Sequence, residues 1–86
     1  MPDFLGQKRN KKEGLRMDKI KAKAMRYFLG ESMAAFGRRI GVGATTISDI
    51  ENGHRAISDY VRAKLVRLEM QMPDDFYDFY SLFRNR

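Results

Sequence analysis

The chain has 86 residues with no cysteine and a single histidine, and seventeen Lys and Arg against eleven Asp and Glu give it a formal net charge of +6. That length fits one small domain with a tail; the missing thiols exclude disulfides, thiolate metal sites and a cysteine nucleophile, and His54 alone excludes a two-histidine metal site. No apolar run approaches the ~20 residues of a membrane span, and no apolar stretch behind the basic start reads as a secretory signal, so no membrane partner and a cytoplasmic location are expected.

Residues 1–16 read as a basic, flexible arm. Lys8, Arg9, Lys11 and Lys12 cluster among Pro2, Gly6 and Gly14, and no helical or strand period runs through them. Nine of the seventeen basic residues lie within residues 1–26, opposed only by Asp3, Glu13 and Asp18, whereas residues 27–86 balance eight against eight. All the excess positive charge therefore lies within residues 1–26, the arm and the start of the first expected helix. It suits either a polyanionic partner or a solubilising tail.

Helical periodicity begins at residue 17. Met17, Ile20, Ala24 and Tyr27 recur at 3–4 spacing, Met25, Phe28 and Leu29 widen the stripe, and Gly30 is placed to close this first helix. Ser32 is a suitable N-cap for a second helix over 33–40, with Met33, Phe36 and Ile40 on its apolar face and Gly41 as its stop. A glycine-containing turn leads to a third short helix, 44–52, in which Ile47 and Ile50 share the buried face and Asn52-Gly53 ends the element.

Ser58 can cap a fourth helix. There Val61, Leu65, Leu68 and Met72 keep the helical period, with Ile57 as a staple ahead of them. Pro73 breaks the chain and can start a fifth helix, 74–84, whose first turn favours Asp74 and Asp75. That helix is aromatic nearly all round: Phe76, Tyr77, Phe79, Tyr80 and Phe83. One face cannot hide five rings. Phe76, Phe79, Tyr80 and Phe83 are expected to pack on helices one and four, and the remaining surface to serve either the core, a homodimer seam or a protein partner. The expected fold is an all-α, compact five-helix domain over residues 17–86, preceded by the basic arm, with a helix-turn-helix core at 32–53.

In residues 29–55, LGESMAAFGRRIGVGATTISDIENGHR, the positions Ser32, Phe36, Gly37, Gly41, Val42, Thr46, Ile47, Ser48, Ile50, Glu51 and Gly53 carry a specific likeness. This stretch resembles the lambda-repressor and Cro-type helix-turn-helix family. The resemblance implies a lambda-repressor-like domain that binds double-stranded DNA, with the third helix in the major groove. Gly37 is small where helices two and three are expected to cross. Val42, Ile47 and Ile50 would anchor the third helix, leaving Ala44, Thr45, Ser48, Asp49 and Asn52 outward. Small, polar outward residues suit a helix that must sit deep in a groove ~12 Å wide.

By resemblance, Ala44, Thr45, Thr46 and Asp49 are the positions that reach base edges, with methyl groups toward thymine and Asp49 toward a cytosine amino group. Backbone contacts would come from Ser32, Gly43, Ser48, Asn52, His54 and Arg55, using free N–H groups at a helix start and the residues after the third helix. Arg38 and Arg39 on the outer side of helix two are open to either solvent or phosphate. The resemblance also implies an ion pair between Arg26 and Glu51 that ties helix one to helix three. Three positions depart from the pattern: Met33 stands where glutamine is common, Glu31 where an apolar residue is usual, and Gly43 where serine or threonine usually caps.

Together these readings lead to a sequence-specific regulator of transcription, of bacterial or phage repressor type, that acts as a dimer on DNA and has its basic arm along the duplex. The other reading is a protein-interaction module of the same fold, antirepressor or antitoxin-like, that docks on another regulator. One histidine, no cysteine and no inward-facing carboxylate pair leave little to run chemistry, so no enzyme, cofactor, metal or small-molecule ligand is expected.

Overall fold

Local hydrogen bonding sets where each helix begins. Asp18 accepts the Lys21 N–H at 2.9 Å, Ser32 Oγ accepts the Ala35 N–H at 3.1 Å, and Ser58 Oγ accepts the Val61 N–H at 3.2 Å. Each bond satisfies a first-turn donor that the helix itself cannot pair, worth ~1 kcal/mol. The computed structural model describes residues 16–85, which form α1 Lys19–Leu29, α2 Met33–Ile40, α3 Ala44–Glu51, α4 Asp59–Glu69 and α5 Asp75–Arg84. Among the described residues there is no strand, and no helix is long and apolar enough to cross a membrane. Lys8, Arg9, Lys11 and Lys12 lie outside the described residues.

The helix ends are also local. α1 closes with Gly30 N–H on the Tyr27 carbonyl and Glu31 N–H on the Arg26 carbonyl; α3 closes the same way, with Gly53 N–H on Ile50 and His54 N–H on Asp49. This double bond pattern needs a left-handed residue at its corner, and Gly53 supplies it with φ 78°. Extended backbone at Asp18 moves the start of α1 to Lys19 rather than residue 17. Phe76 N–H turns back to the Pro73 carbonyl, and α5 begins at Asp75, one residue later than expected.

Met25, Phe36, Leu65 and Phe76 are the largest fully buried side chains, joined by Ile40, Ile47, Ile50, Val61 and Leu68 in one core. Each full burial of such a side chain contributes ~1.5–3 kcal/mol. α2 packs on α3 and α4, and α1 packs on α3 and α5.

One expectation needs correction. The apolar stripe of α1 does not face the core through Ile20 and Tyr27, which are 44% and 45% exposed. The helix is rotated so that Lys21 is buried instead. Its ammonium donates to Glu69 Oε2 at 3.1 Å and to the Arg16 carbonyl at 3.0 Å, and Tyr77 Oη donates to the same Glu69 oxygen at 2.8 Å. A buried cation is tolerable only with partners of this kind. The rings of α5 turn inward on α1, as expected for Phe76, Phe79, Tyr80 and Phe83. Phe76 is buried, and Phe79, Tyr80 and Phe83 are partly buried against the core. Phe28 meets Phe76 and Phe79 at 5.5 Å, and Tyr27 meets Phe83 at 5.4 Å. A seam built from these aromatics is left with little beyond the edge of Tyr77 and the exposed Leu82.

Candidate nucleic-acid interface

The placement of α3 starts at a glycine. The Gly37 carbonyl accepts both the Gly41 and Val42 N–H groups, at 2.7 and 2.8 Å, folding the chain tightly off the end of α2. A Cβ on Gly37 would lie 2.5 Å from the Val42 carbonyl oxygen and 3.2 Å from the Gly43 carbonyl group. Gly37 is therefore needed for the turn before α3 rather than for contact with α3 itself. Val42 packs against the core from this turn. Ile47 and Ile50, one helical step apart, then pin one side of α3 inside the protein.

The opposite side is open. Ala44, Thr45 and Asn52 are exposed, and Thr46, Ser48 and Asp49 are partly exposed. Asn52 Nδ2 donates to Ser48 Oγ at 3.3 Å. Asp49 Oδ2 lies 3.6 Å from the Arg55 guanidinium, so its charge is partly offset by a neighbour on the same surface. His54 and Arg55 are exposed just past the end of α3. Gly43, exposed at the start of α3, caps it without a side-chain hydrogen bond, and nothing lies within 4 Å of where a side chain would begin. Ser32 Oγ is engaged as an acceptor by Ala35 N–H, which leaves its hydroxyl proton able to donate outward.

Behind this surface, Arg26 and Glu51 meet end to end. Arg26 Nε donates to Glu51 Oε2 at 2.6 Å and Nη2 to Oε1 at 2.9 Å, with side chains only 12% and 3% exposed. Arg26 Nη1 also donates to the Glu31 carbonyl at 3.0 Å. The guanidinium thus joins the end of α1, the approach to α2 and the end of α3. The Glu51 hydrogen bonds, opposed by burial, hold the Arg26 pKa above its ordinary value. Arg39 is not available as an independent phosphate ligand in this structure. Its guanidinium pairs with Glu31, lowering that carboxyl's pKa chiefly through their hydrogen bonds. Arg38 is exposed.

Sequence reasoning missed Glu31 as the residue that engages Arg39 through its carboxylate and Arg26 through its carbonyl. It also missed Asp49–Arg55; only their six-residue spacing across a helix stop hints at that contact. Among the described residues, no group of three or more His, Asp or Glu side chains is placed to hold a metal ion. The surface offers small methyls, hydroxyls, one carboxylate and flanking cations.

Two packed helices joined by a tight glycine turn, the second with one side pinned and the other open, define a helix-turn-helix. Residues 29–67 match the helix-turn-helix family model. The five helices fit a lambda-repressor-like fold. No curated protein and no solved structure gave a significant match to the chain.

Proposed function

We propose that this protein is a sequence-specific double-stranded DNA-binding regulator of transcription, a small bacterial or phage repressor, with residues 44–52 in the major groove. One observation carries the reading: α3 exposes Ala44, Thr45 and Asn52 while Ile47 and Ile50 lock its other side in the core. A low-profile helix face that is both rigid and open suits a groove that just admits a helix.

In this reading Ala44, Thr45, Thr46 and Asp49 meet base edges. Arg55 offsets the Asp49 carboxylate, so the acid approaches the duplex at a reduced electrostatic cost and is directed to a cytosine amino group. Ser32, Gly43, Ser48, Asn52, His54 and Arg55 hold the phosphate backbone on either side. The basic arm, residues 1–16, adds affinity without sequence information through Lys8, Arg9, Lys11 and Lys12. The Arg26–Glu51 pair fixes the angle of α3 relative to α1 and does not itself read bases.

Selection of bound duplexes from a random pool, followed by competition at rising salt, tests this. The expected result is a preferred sequence that survives excess random duplex, with affinity falling steeply and linearly on a log–log salt plot. If the full chain bound every duplex alike, or none, the sequence-specific reading would be lost and docking on another regulator would take its place.

A further inference from the structure

A cleft of about 270 Å³ lies between the approach to α1 and α5, lined by Arg16, Asp18 and Lys21 on one side and Tyr77, Tyr80, Ser81 and Arg84 on the other. None of these residues belongs to α2, α3 or the loop after α3, so the proposed base-reading surface makes no use of it. The sequence alone leads to no small-molecule ligand; this cleft departs from that expectation.

Its charges are not all answered. Lys21 is met by Glu69 Oε2 at 3.1 Å, and Asp18 turns Oδ1 to the Lys21 N–H at 2.9 Å. Arg16 and Arg84 have no carboxylate partner among the described residues. The Arg84 guanidinium and the Lys21 ammonium each lie 5.4 Å from the Tyr80 ring centre, so both cations gather at one aromatic wall. The hydroxyls of Tyr80 and Ser81 make no hydrogen bond within the described residues. Burial, and next the Asp18 carboxylate, raise the Tyr80 phenol above its ordinary pKa, so it keeps its proton and offers it as a donor.

Two unanswered guanidinium groups and two idle hydroxyls in one recess form a donor set for an oxyanion. A carboxylate brings two oxygens and one charge. A phosphate monoester brings three oxygens and about −1.5 to −2 charge, and its geometry matches the guanidinium fork. Asp18 is the one acid in the wall. It suits a hydroxyl on the organic part of such a ligand, which can donate to it. The volume falls just below the ~300–1,000 Å³ of drug-sized pockets, which fits a sugar phosphate better than a nucleotide.

We propose that the cleft between α1 and α5 binds a small hydroxylated phosphate monoester, with the phosphate held by Arg16, Arg84, Tyr80 and Ser81 and a ligand hydroxyl by Asp18. The site does not depend on the DNA reading.

The test follows backbone amide shifts of the labelled full chain during titration with ribose 5-phosphate, with ionic strength held constant by sodium chloride. The expected result is a saturating change at Lys21, Ser81 and Arg84 while residues 44–52 stay still. Ribose without the phosphate should bind at least about tenfold more weakly. Tyr80→Phe and Arg84→Gln, each folded by circular dichroism, should each weaken binding by about fivefold to tenfold, since each removes a hydrogen bond to a charged group. Arg38→Gln, on an exposed cation of α2, should change nothing. Shifts that rise without saturating overturn the proposal, as does saturation indifferent to both cleft variants, or a response confined to α3. A short duplex that moves the same amides, competes with ribose 5-phosphate and loses that effect in Tyr80→Phe would assign the cleft to the DNA backbone and overturn the free ligand. Failure of ribose 5-phosphate to bind leaves the α3 reading untouched, because duplex selection tests that reading separately.

Discussion

Replacing Glu51 with alanine removes the brace behind α3. In the native chain this carboxylate, 3% exposed, receives two N–H bonds from Arg26 at 2.6 and 2.9 Å, and the guanidinium itself is 12% exposed. The alanine variant leaves that cation with the Glu31 carbonyl alone and little water. Breaking a buried pair from one side costs ~3–5 kcal/mol. Arg26 keeps a solvent edge and its guanidinium already lies 4.8 Å from the Tyr27 ring, so part of the charge can relax outward along it. We place the loss at about 2–4 kcal/mol, a large share of the ~5–15 kcal/mol that holds a small domain together. The double variant Arg26→Met with Glu51→Leu removes both charges and their desolvation cost, and it should recover most of that loss.

Urea unfolding followed by circular dichroism measures both, with the slope checked for constancy. The folded-state pKa of Arg26 is raised, so its contribution is fully present below the ordinary guanidinium value and fades only as pH rises through the higher folded value. The measurement should therefore be insensitive to pH across the neutral range from that side. A loss below ~0.5 kcal/mol, as for an exposed pair, or a double variant no better than the single one, would refute the reasoning.

Gly37→Ala should cost ~1–3 kcal/mol in the same assay, because the atom it strikes is the Val42 backbone carbonyl, which cannot swing away; an unchanged midpoint would show that the turn can open. Burial first, and then the bond to Glu69, push the Tyr77 phenol well above its ordinary value of 10. A phenol raised on folding stabilises fully below that unfolded value, and the stability is lost as pH climbs from 10 through the folded value. Tyr77→Phe should start from a lower baseline and decline less steeply above pH 10, and a decline as steep as wild type would contradict this. Thr45→Ala and Asp49→Ala should each change preference at particular base pairs, by about 1–3 kcal/mol of discrimination, when affinities for single-base variants of the selected site are compared. A uniform tightening of all duplexes by Asp49→Ala would remove its proposed base contact.

Much of the fold is legible in the sequence because it is set locally. Ser32 and Ser58 announce helix starts three residues before the donors they accept from. Gly30, Gly41 and Gly53 mark the stops, and Ile47 and Ile50 identify the inner side of α3. The exposure of Ala44 and Thr45 follows from that pair alone. What periodicity could not find is long-range. Lys21 is buried because Glu69, forty-eight positions away, and the Arg16 carbonyl satisfy its ammonium. That pair turns α1 and leaves Ile20 outside. The α5 rings Phe76, Phe79 and Tyr80 are expected inside from sequence, but their particular neighbours, Phe28 and the Lys21 cation, are set by long-range packing. Glu31 reads as a misplaced acid in sequence and as the partner of Arg39 in space.

Backbone amide shifts of the labelled full chain, followed while the selected duplex is titrated in, test the central claim most directly. The account predicts the largest changes at Gly43, Ala44, Thr45, Thr46, Asp49 and Asn52, along the open side of α3. Large changes confined to α4, α5 or residues 1–15, with α3 unmoved, would contradict it.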